Sequence, residues 1–182
     1  SIRHNVATTR TGRGGTQTIS PERSLLIATL ATIVHYRERT PEVKAAVNKL
    51  RRNSLLAVGT LTSDSPSAAV AYRDDRVVGM FAYDRWYKNK RSIVAEGTYC
   101  IKTERGHRTG LRMWQRVLFE VNPREVHVTC ATIGGVCLVA SVADMFPGTV
   151  FVVSLMQNTE RRFTEALRYL VSNNNVRVKI EY

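Results

Sequence analysis

Hydrophobic and polar residues follow different patterns in different parts of this chain. Residues 1–19 are rich in Thr, Arg and Gly and repeat apolar positions at no period, so they are predicted to form a flexible basic arm. From Ser20 onward the apolar positions recur, first at helical spacing and later in short β-rich runs. The pattern therefore predicts an arm at 1–19 and a single folded domain at 20–182.

Two short helices are predicted at the start of the domain. Ser20-Pro21-Glu22 and Thr40-Pro41-Glu42 each combine an N-cap residue, a proline for the first turn and an acidic residue that suits the helix dipole. Apolar residues at helical spacing follow each signal: Leu26, Leu30, Ile33 and Val34 after the first, and Val43, Ala46, Val47 and Leu50 after the second.

Strands and helices alternate through the rest of the chain. Their order predicts an α/β fold with a mixed sheet and helices on both faces. The predicted elements are a strand at 55–61, a hairpin of 67–72 and 77–83 around Asp74-Asp75, a strand at 93–101, a helix at 109–121, a strand at 125–130, a buried helix at 133–145, a buried strand at 149–156, an amphipathic helix at 159–171 and an edge strand at 176–182.

The charge balance changes the expectation about partners. With 27 Lys and Arg against 15 Asp and Glu, the formal net charge is +12. A field of that sign attracts nucleic acid, acidic protein surfaces or a phosphate-bearing cofactor, although it also serves solubility. The arm at 1–19 and the basic, aromatic segment at 85–91 are the candidates for contacting nucleic acid, and an ordinary exposed loop is the alternative for 85–91.

The cysteines and the hydropathy pattern indicate whether the protein binds a metal, where it is located and whether it contacts a membrane. Cys100, Cys130 and Cys137 lie in apolar runs without the spacing of metal ligands, so we expect free thiols in a reducing compartment and no metal. No apolar signal-peptide core follows the N-terminus, so we expect a cytoplasmic protein. The apolar run at 126–156 contains polar residues and Pro147-Gly148, which predicts several buried elements and no membrane contact.

One segment carries candidate chemistry. A predicted strand ends near Ile101, and a turn rich in glycine and arginine leads directly into the next predicted helix. Such a turn presents backbone N–H groups and the positive end of a helix dipole, a combination that binds pyrophosphate. The alternative is a basic turn without a ligand. The candidate cofactor-binding residues are Ile101, Arg105, Gly106, His107, Arg108, Thr109 and Gly110.

This turn resembles the acetyl-CoA loop of the GNAT superfamily of N-acetyltransferases. Arg105, Gly106 and Gly110 match the family's loop, whereas Arg108 stands where the family has its central glycine. The order of predicted elements over roughly residues 20–156 is also similar to that family. The resemblance implies a mixed, mostly antiparallel sheet, acetyl-CoA as the cofactor, and acetyl transfer to an amine.

The resemblance also implies catalytic groups. Glu96 is the candidate general base, and a solvent-facing carboxylate at the sheet edge is its alternative role. The family's usual acid is a Tyr on the helix after the fifth strand, and the corresponding stretch, 134–148, contains no Tyr. A second hypothesis is therefore a catalytically inactive GNAT-like building block of a larger assembly, such as a bacteriophage virion, in which the arm contacts partner subunits or nucleic acid.

Overall fold

The computed structural model describes residues 8–10, 16–18, 30–38, 40–45, 67–85, 91–104, 106–130, 132–155 and 161–180. The chain divides into two compact units, Ser1–Leu30 and Ala31–Tyr182. In the first unit, strand β1 (Thr8–Arg10) pairs antiparallel with strand β2 (Thr16–Thr18). Both short strands fall within the residues predicted to be an arm, whose flexibility stays a prediction.

The second unit is built on a seven-stranded sheet in which the strands lie in chain order, β3-β4-β5-β6-β7-β8-β9. The first three pairings are antiparallel and the last three are parallel. The antiparallel ladders together pair more residues, which agrees with the predicted mixed, mostly antiparallel sheet. The strands are β3 Thr32–Tyr36, β4 Ser67–Arg73, β5 Arg76–Arg85, β6 Ser92–Cys100, β7 Glu125–Cys130, β8 Val150–Leu155 and β9 Val176–Ile180.

Helices cover both faces of this sheet, as the sequence predicts. One face packs against three helices, α2 (Thr109–Val121), α3 (Ile133–Met145) and α4 (Arg161–Val171). The opposite face packs against α1, the helical residues 41–45, through Val43. The alternation of β5 explains this division, because Phe81 faces the three helices while Met80 faces Val43.

The aromatic core holds α2 against the sheet. Trp114 is 1% exposed and stacks on Phe81 with ring centroids 4.2 Å apart. Its indole Nε1 donates to Thr98 Oγ1 at 2.7 Å, so the polar end of the ring is satisfied inside the core. Trp114 is thus a core residue, and it fixes the rotation of α2 over β6.

The first predicted helix is wrong at its C-terminal end. Ile33 and Val34 lie in strand β3, which pairs with β4 in antiparallel register. The β-branched run Thr32-Ile33-Val34 favours a strand, and pairing along β4 outweighs the helical spacing of four apolar residues. Residues 20–29, 46–50 and 55–61 of the other predictions lie outside the described residues.

The remaining elements agree with the prediction. The turn residues Asp74 and Asp75 both have positive φ, as a two-residue hairpin turn requires. At α1, Thr40 Oγ1 accepts the Val43 N–H at 3.4 Å, which confirms the predicted cap. The apolar run at 126–156 resolves into β7, α3 and β8. Among the described residues, no helix has the length and hydropathy that a membrane span needs.

Candidate active site

The sheet splits where β6 meets β7. These strands pair in parallel from Ser92↔Glu125 to Ala95↔Val128, and the ladder stops there although both strands continue. Beyond that point β6 stays paired with β5, and β7 stays paired with β8. The two strands therefore part toward their carboxyl ends, which is where ligands commonly bind in sheets with parallel strands.

A β-bulge lies at the start of this split. In the ladder between β5 and β6, Gly97 pairs with Ala82 and Ala95 pairs with Tyr83, so Glu96 is the extra residue. Glu96 is half-buried. Bulges commonly re-aim a side chain beside an active site, and here the bulged residue is the carboxylate predicted as general base. The predicted catalytic residue thus lies at the point where the two strands separate.

The predicted turn follows β6 directly. A 3₁₀ turn at Lys102–Glu104 comes after the strand, and α2 begins at Thr109. The backbone N–H of Ile101 donates to Val78 O at 2.9 Å, so Ile101 stays attached to β5. The strand–turn–helix arrangement predicted from the sequence is therefore present, and Arg105 lies outside the described residues.

Two residues of the turn have a left-handed backbone. Gly106 has φ 90°, which glycine adopts without steric cost. Arg108, the N-cap of α2, has φ 57° and ψ 16°, and its side chain makes no capping hydrogen bond. Arg108 therefore adopts a conformation that glycine favours. Gly106, His107 and Arg108 are all exposed.

The start of α2 lies close to both β6 and α3. A Cβ placed on Gly110 would lie 3.5 Å from Thr98 Cγ2 and 3.7 Å from Leu138 Cδ2, in ordinary contact. Helix α3 also begins at the end of a parallel strand, β7, with Thr132 Oγ1 accepting the Gly135 N–H at 3.1 Å. The amino ends of α2 and α3 thus flank the split.

A buried carboxylate that the sequence analysis missed stabilises the turn. Glu104 is 4% exposed and accepts from Arg73 Nε at 2.6 Å and Nη2 at 3.1 Å. Thr109 Oγ1 also donates to Glu104, at 2.9 Å. The hydrogen bonds from Arg73 hold the pKa of Glu104 below its usual range, although burial opposes that shift. No local sequence signal reveals this contact, because Arg73 lies 31 residues away.

The cysteines lie near the same end of the sheet. Burial raises the pKa of the Cys130 thiol to about 12, whereas Cys137, on the second turn of α3, is exposed. None of the three cysteines forms a disulfide bond. Among the described residues, no cluster of three or more His, Cys, Asp or Glu side chains has the geometry to hold a metal ion.

Two surface depressions accompany the fold. A depression of about 480 Å³ adjoins the turn and includes Arg73, Ile101 and Glu104 in its lining. The other, of about 580 Å³, lies on the outer side of α2 between Phe119 and Met145 and includes neither Glu96 nor any turn residue. Neither depression includes Glu96 or the residues at 106–110, so the candidate site is defined by the split and the adjacent turn and by neither depression.

The fold and the site define an α/β protein with a split mixed sheet, a bulged carboxylate at the split, and a glycine-containing turn before a helix. No family model matches the chain, and no curated protein matches it significantly. Comparison with solved structures gives low-identity matches.

Three solved structures illustrate these matches. Diaminobutyrate acetyltransferase from Paenibacillus lautus, in complex with L-2,4-diaminobutyric acid and coenzyme A, is 15% identical, with TM-score 0.36 over 48% of this chain and 57% of its own length. A GNAT-family acetyltransferase from Streptococcus pneumoniae is 14% identical, with TM-score 0.40 over 54% of this chain and 74% of its own. A transcriptional regulator from Bacillus halodurans is 16% identical, with TM-score 0.36 over 79% and 91%.

Proposed function

We propose that this chain binds an acyl-coenzyme A and transfers the acyl group to an amine at the split between β6 and β7. The observation that carries the proposal is the position of Glu96 in a bulge where the strands separate, on the same strand that leads into the glycine-containing turn. In such a transfer the turn would bind the cofactor and Glu96 would act as the general base.

The turn is suited to the pyrophosphate. Backbone N–H groups at the start of α2 are left without helical partners, and the helix dipole adds positive potential. Gly106 is exposed and a Cβ on it would meet nothing within 4 Å, so an anion can approach the backbone. The net charge of +12 attracts the polyanionic cofactor at long range.

The length of β6 from Glu96 to the end of the strand is comparable with the cofactor's arm. Glu96 lies four positions before Cys100, the last residue of β6, which is about 13 Å along a strand. The pantetheine arm is about as long as four extended residues, roughly 13 Å. We propose that the arm of a cofactor held at the turn runs along the end of β6 toward Glu96, which would take the proton of the attacking amine directly or through water.

Binding is the first test. Acetyl-CoA at millimolar concentration should raise the melting temperature of the wild-type protein. The Gly106→Val variant should lose that shift, because a β-branched residue is strained at φ 90°. Gly148→Val is a matched control, since Gly148 is exposed with open space around it and lies outside the turn. No shift for the wild-type protein would refute the proposal.

Transfer is the second test. Release of free CoA thiol in the presence of a panel of primary amines should be measured for the wild type and for Glu96→Gln. We expect at least a hundredfold lower rate in the variant with little change in acetyl-CoA affinity, since one acid–base group contributes about that much. Equal rates would remove Glu96 from the chemistry.

A second candidate is favoured by one observation: α3 follows β7 directly and contains no Tyr between Ile133 and Met145. The family resemblance puts the acid that protonates the leaving thiolate on this helix. We therefore propose as the alternative a noncatalytic acyl-CoA binder or building block of a larger assembly, such as a virion. Binding without any amine-dependent release of thiol would favour this alternative.

A further inference from the structure

Glu104 links three separate elements through its side chain. Its carboxylate accepts two hydrogen bonds from Arg73, the last residue of β4, and one from Thr109, the first residue of α2. Glu104 itself ends the 3₁₀ turn. The two ends of the five-residue step from Glu104 to Thr109 are therefore tied to each other and to the neighbouring hairpin.

The hydrogen bonds to Glu104 are important for stability because the carboxylate is buried. A carboxylate that is 4% exposed is costly to bury unless charged or polar donors satisfy its oxygens. Arg73 forms a bidentate ion pair with Glu104, which fixes the orientation of the carboxylate as well as its distance from the guanidinium. The Thr109 hydroxyl, on a residue that is 1% exposed, fixes the point at which α2 begins.

Two residues between Glu104 and Thr109 have an unusual backbone conformation. Gly106 and Arg108 both have left-handed φ, and the His107 N–H donates to Glu104 O at 3.3 Å. The Arg108 side chain makes no capping hydrogen bond at the start of α2. The Glu104 side chain contacts both Arg73 and Thr109, so it is in position to hold this left-handed backbone.

We propose that Glu104 is the positioning residue of the anion-binding turn: it sets the start of α2 and the left-handed backbone at Arg108, so that the N–H groups point at the cofactor's phosphates. This inference rests on the proposed function. Arg73 has a second role in it, because its guanidinium offsets a carboxylate that would otherwise repel the incoming anion.

A positioning role and a purely electrostatic role of Glu104 predict opposite effects of the Glu104→Gln substitution on CoA binding. Glu104→Gln removes a negative charge beside the turn, so a purely electrostatic role predicts tighter CoA binding. A positioning role predicts weaker binding, because the amide cannot accept all three bonds that the carboxylate accepts. We expect the dissociation constant of CoA, measured by calorimetry, to rise at least tenfold.

Thr109 supplies a test without a charge change. Thr109→Val removes the hydroxyl at nearly constant volume, whereas Thr109→Ser keeps it. We expect Thr109→Val to weaken CoA binding several-fold and Thr109→Ser to bind within twofold of the wild type. Arg116→Gln is the control, because it removes another ion pair of α2, with Glu120, on a part of the helix away from the turn.

Hydrogen exchange of the ligand-free proteins separates this inference from the proposed function. In Glu104→Gln and Thr109→Val, amides at 106–112 should exchange faster than in the wild type, while those of β8 stay unchanged. Unchanged exchange at 106–112, or CoA binding by Glu104→Gln as tight as that of the wild type, would overturn the positioning role. If the wild type binds no CoA, the proposed function fails, and the exchange result alone decides whether Glu104 sets the turn.

Discussion

At the residue scale, the backbone of Arg108 is the clearest departure from what its side chain prefers. The position has φ 57° and is the N-cap of α2. An L-residue other than glycine pays about 1–2 kcal/mol for this conformation, and Asn or Asp tolerate it better than Arg. The sequence marked Arg108 as the position where this turn departs from the loop that it resembles, and the structure shows a conformation there that suits glycine.

Replacing Arg108 with glycine should therefore stabilise the protein. We expect Arg108→Gly to raise the free energy of unfolding by about 0.5–1 kcal/mol, after the entropic cost of glycine is subtracted. Urea unfolding measures this change. Arg108→Ala is the control, because it removes the side chain and keeps the unfavourable φ. If the two variants are equally stable, the left-handed conformation carries no cost.

The thiols should differ in reactivity. The pKa of the buried Cys130 is raised to about 12, and Cys137 is exposed. Because the thiolate is the reacting species, iodoacetamide at pH 8 should label Cys137 and leave Cys130 unmodified until the protein is unfolded. Mass spectrometry of the peptides after timed labelling checks this prediction. Similar labelling rates for both residues in the folded protein would contradict it.

At the scale of elements, a buried hydrogen-bonded chain connects β3 to α2. The His35 ring is 1% exposed; its Nδ1 lies 2.7 Å from Glu120 Oε2 and its Nε2 lies 2.6 Å from Tyr83 Oη. A neutral ring satisfies both partners if Nδ1–H donates to the carboxylate and Nε2 accepts the tyrosine hydroxyl. Arg116 also pairs with Glu120. This chain attaches the edge strand β3 to the helix that follows the turn.

Removing His35 should destabilise the fold strongly. His35→Ala removes the hydrogen bonds between the ring and both Tyr83 and Glu120 and opens a cavity, so we expect a loss of about 3 kcal/mol. Urea unfolding of the wild type, His35→Ala, Glu120→Ala and the double variant gives a double-mutant cycle, which measures the coupling energy between the two residues. Thr32→Ala, at an exposed position of β3, should change stability by less than about 0.5 kcal/mol. Additive losses in the cycle would show that the pair is not coupled.

At the scale of the whole molecule, buried or paired carboxylates set the response to acid. The hydrogen bonds from Arg73 lower the pKa of Glu104, and the hydrogen bond to His35 lowers the pKa of Glu120. A glutamate in an unfolded chain titrates near about 4.3, so the unfolded state binds more protons as the pH falls. The stabilisation from these two groups is therefore present above that pH and is lost as the pH drops below it.

Acid unfolding should report this linkage. The free energy of unfolding should fall as the pH drops below about 4.3, and the fall should be shallower in Glu104→Gln, which has no proton to take up at that site. Urea titrations at several pH values measure both slopes. Glu38→Gln is the control, since Glu38 is an exposed glutamate after β3. Identical slopes for the wild type and Glu104→Gln would refute the linkage.

The sequence by itself determined most of the elements and the turn. The pattern of apolar residues predicted α2, α3 and β7 with the bounds that the structure has, because hydrophobic periodicity is a local property of a few residues. It also identified Glu96 and the residues at 105–110 as candidates. It failed at Ile33 and Val34, where helical spacing is ambiguous and pairing with β4 decides the outcome.

Only the tertiary structure decided how these parts meet. The bulge at Glu96 and the split beyond Ala95 depend on the register of three strands, which no local pattern specifies. The ion pair between Arg73 and Glu104 joins residues 31 positions apart, and its strength comes from burial, which exists only after the chain has folded. Local sequence thus sets the elements, while long-range pairing and burial place the candidate site.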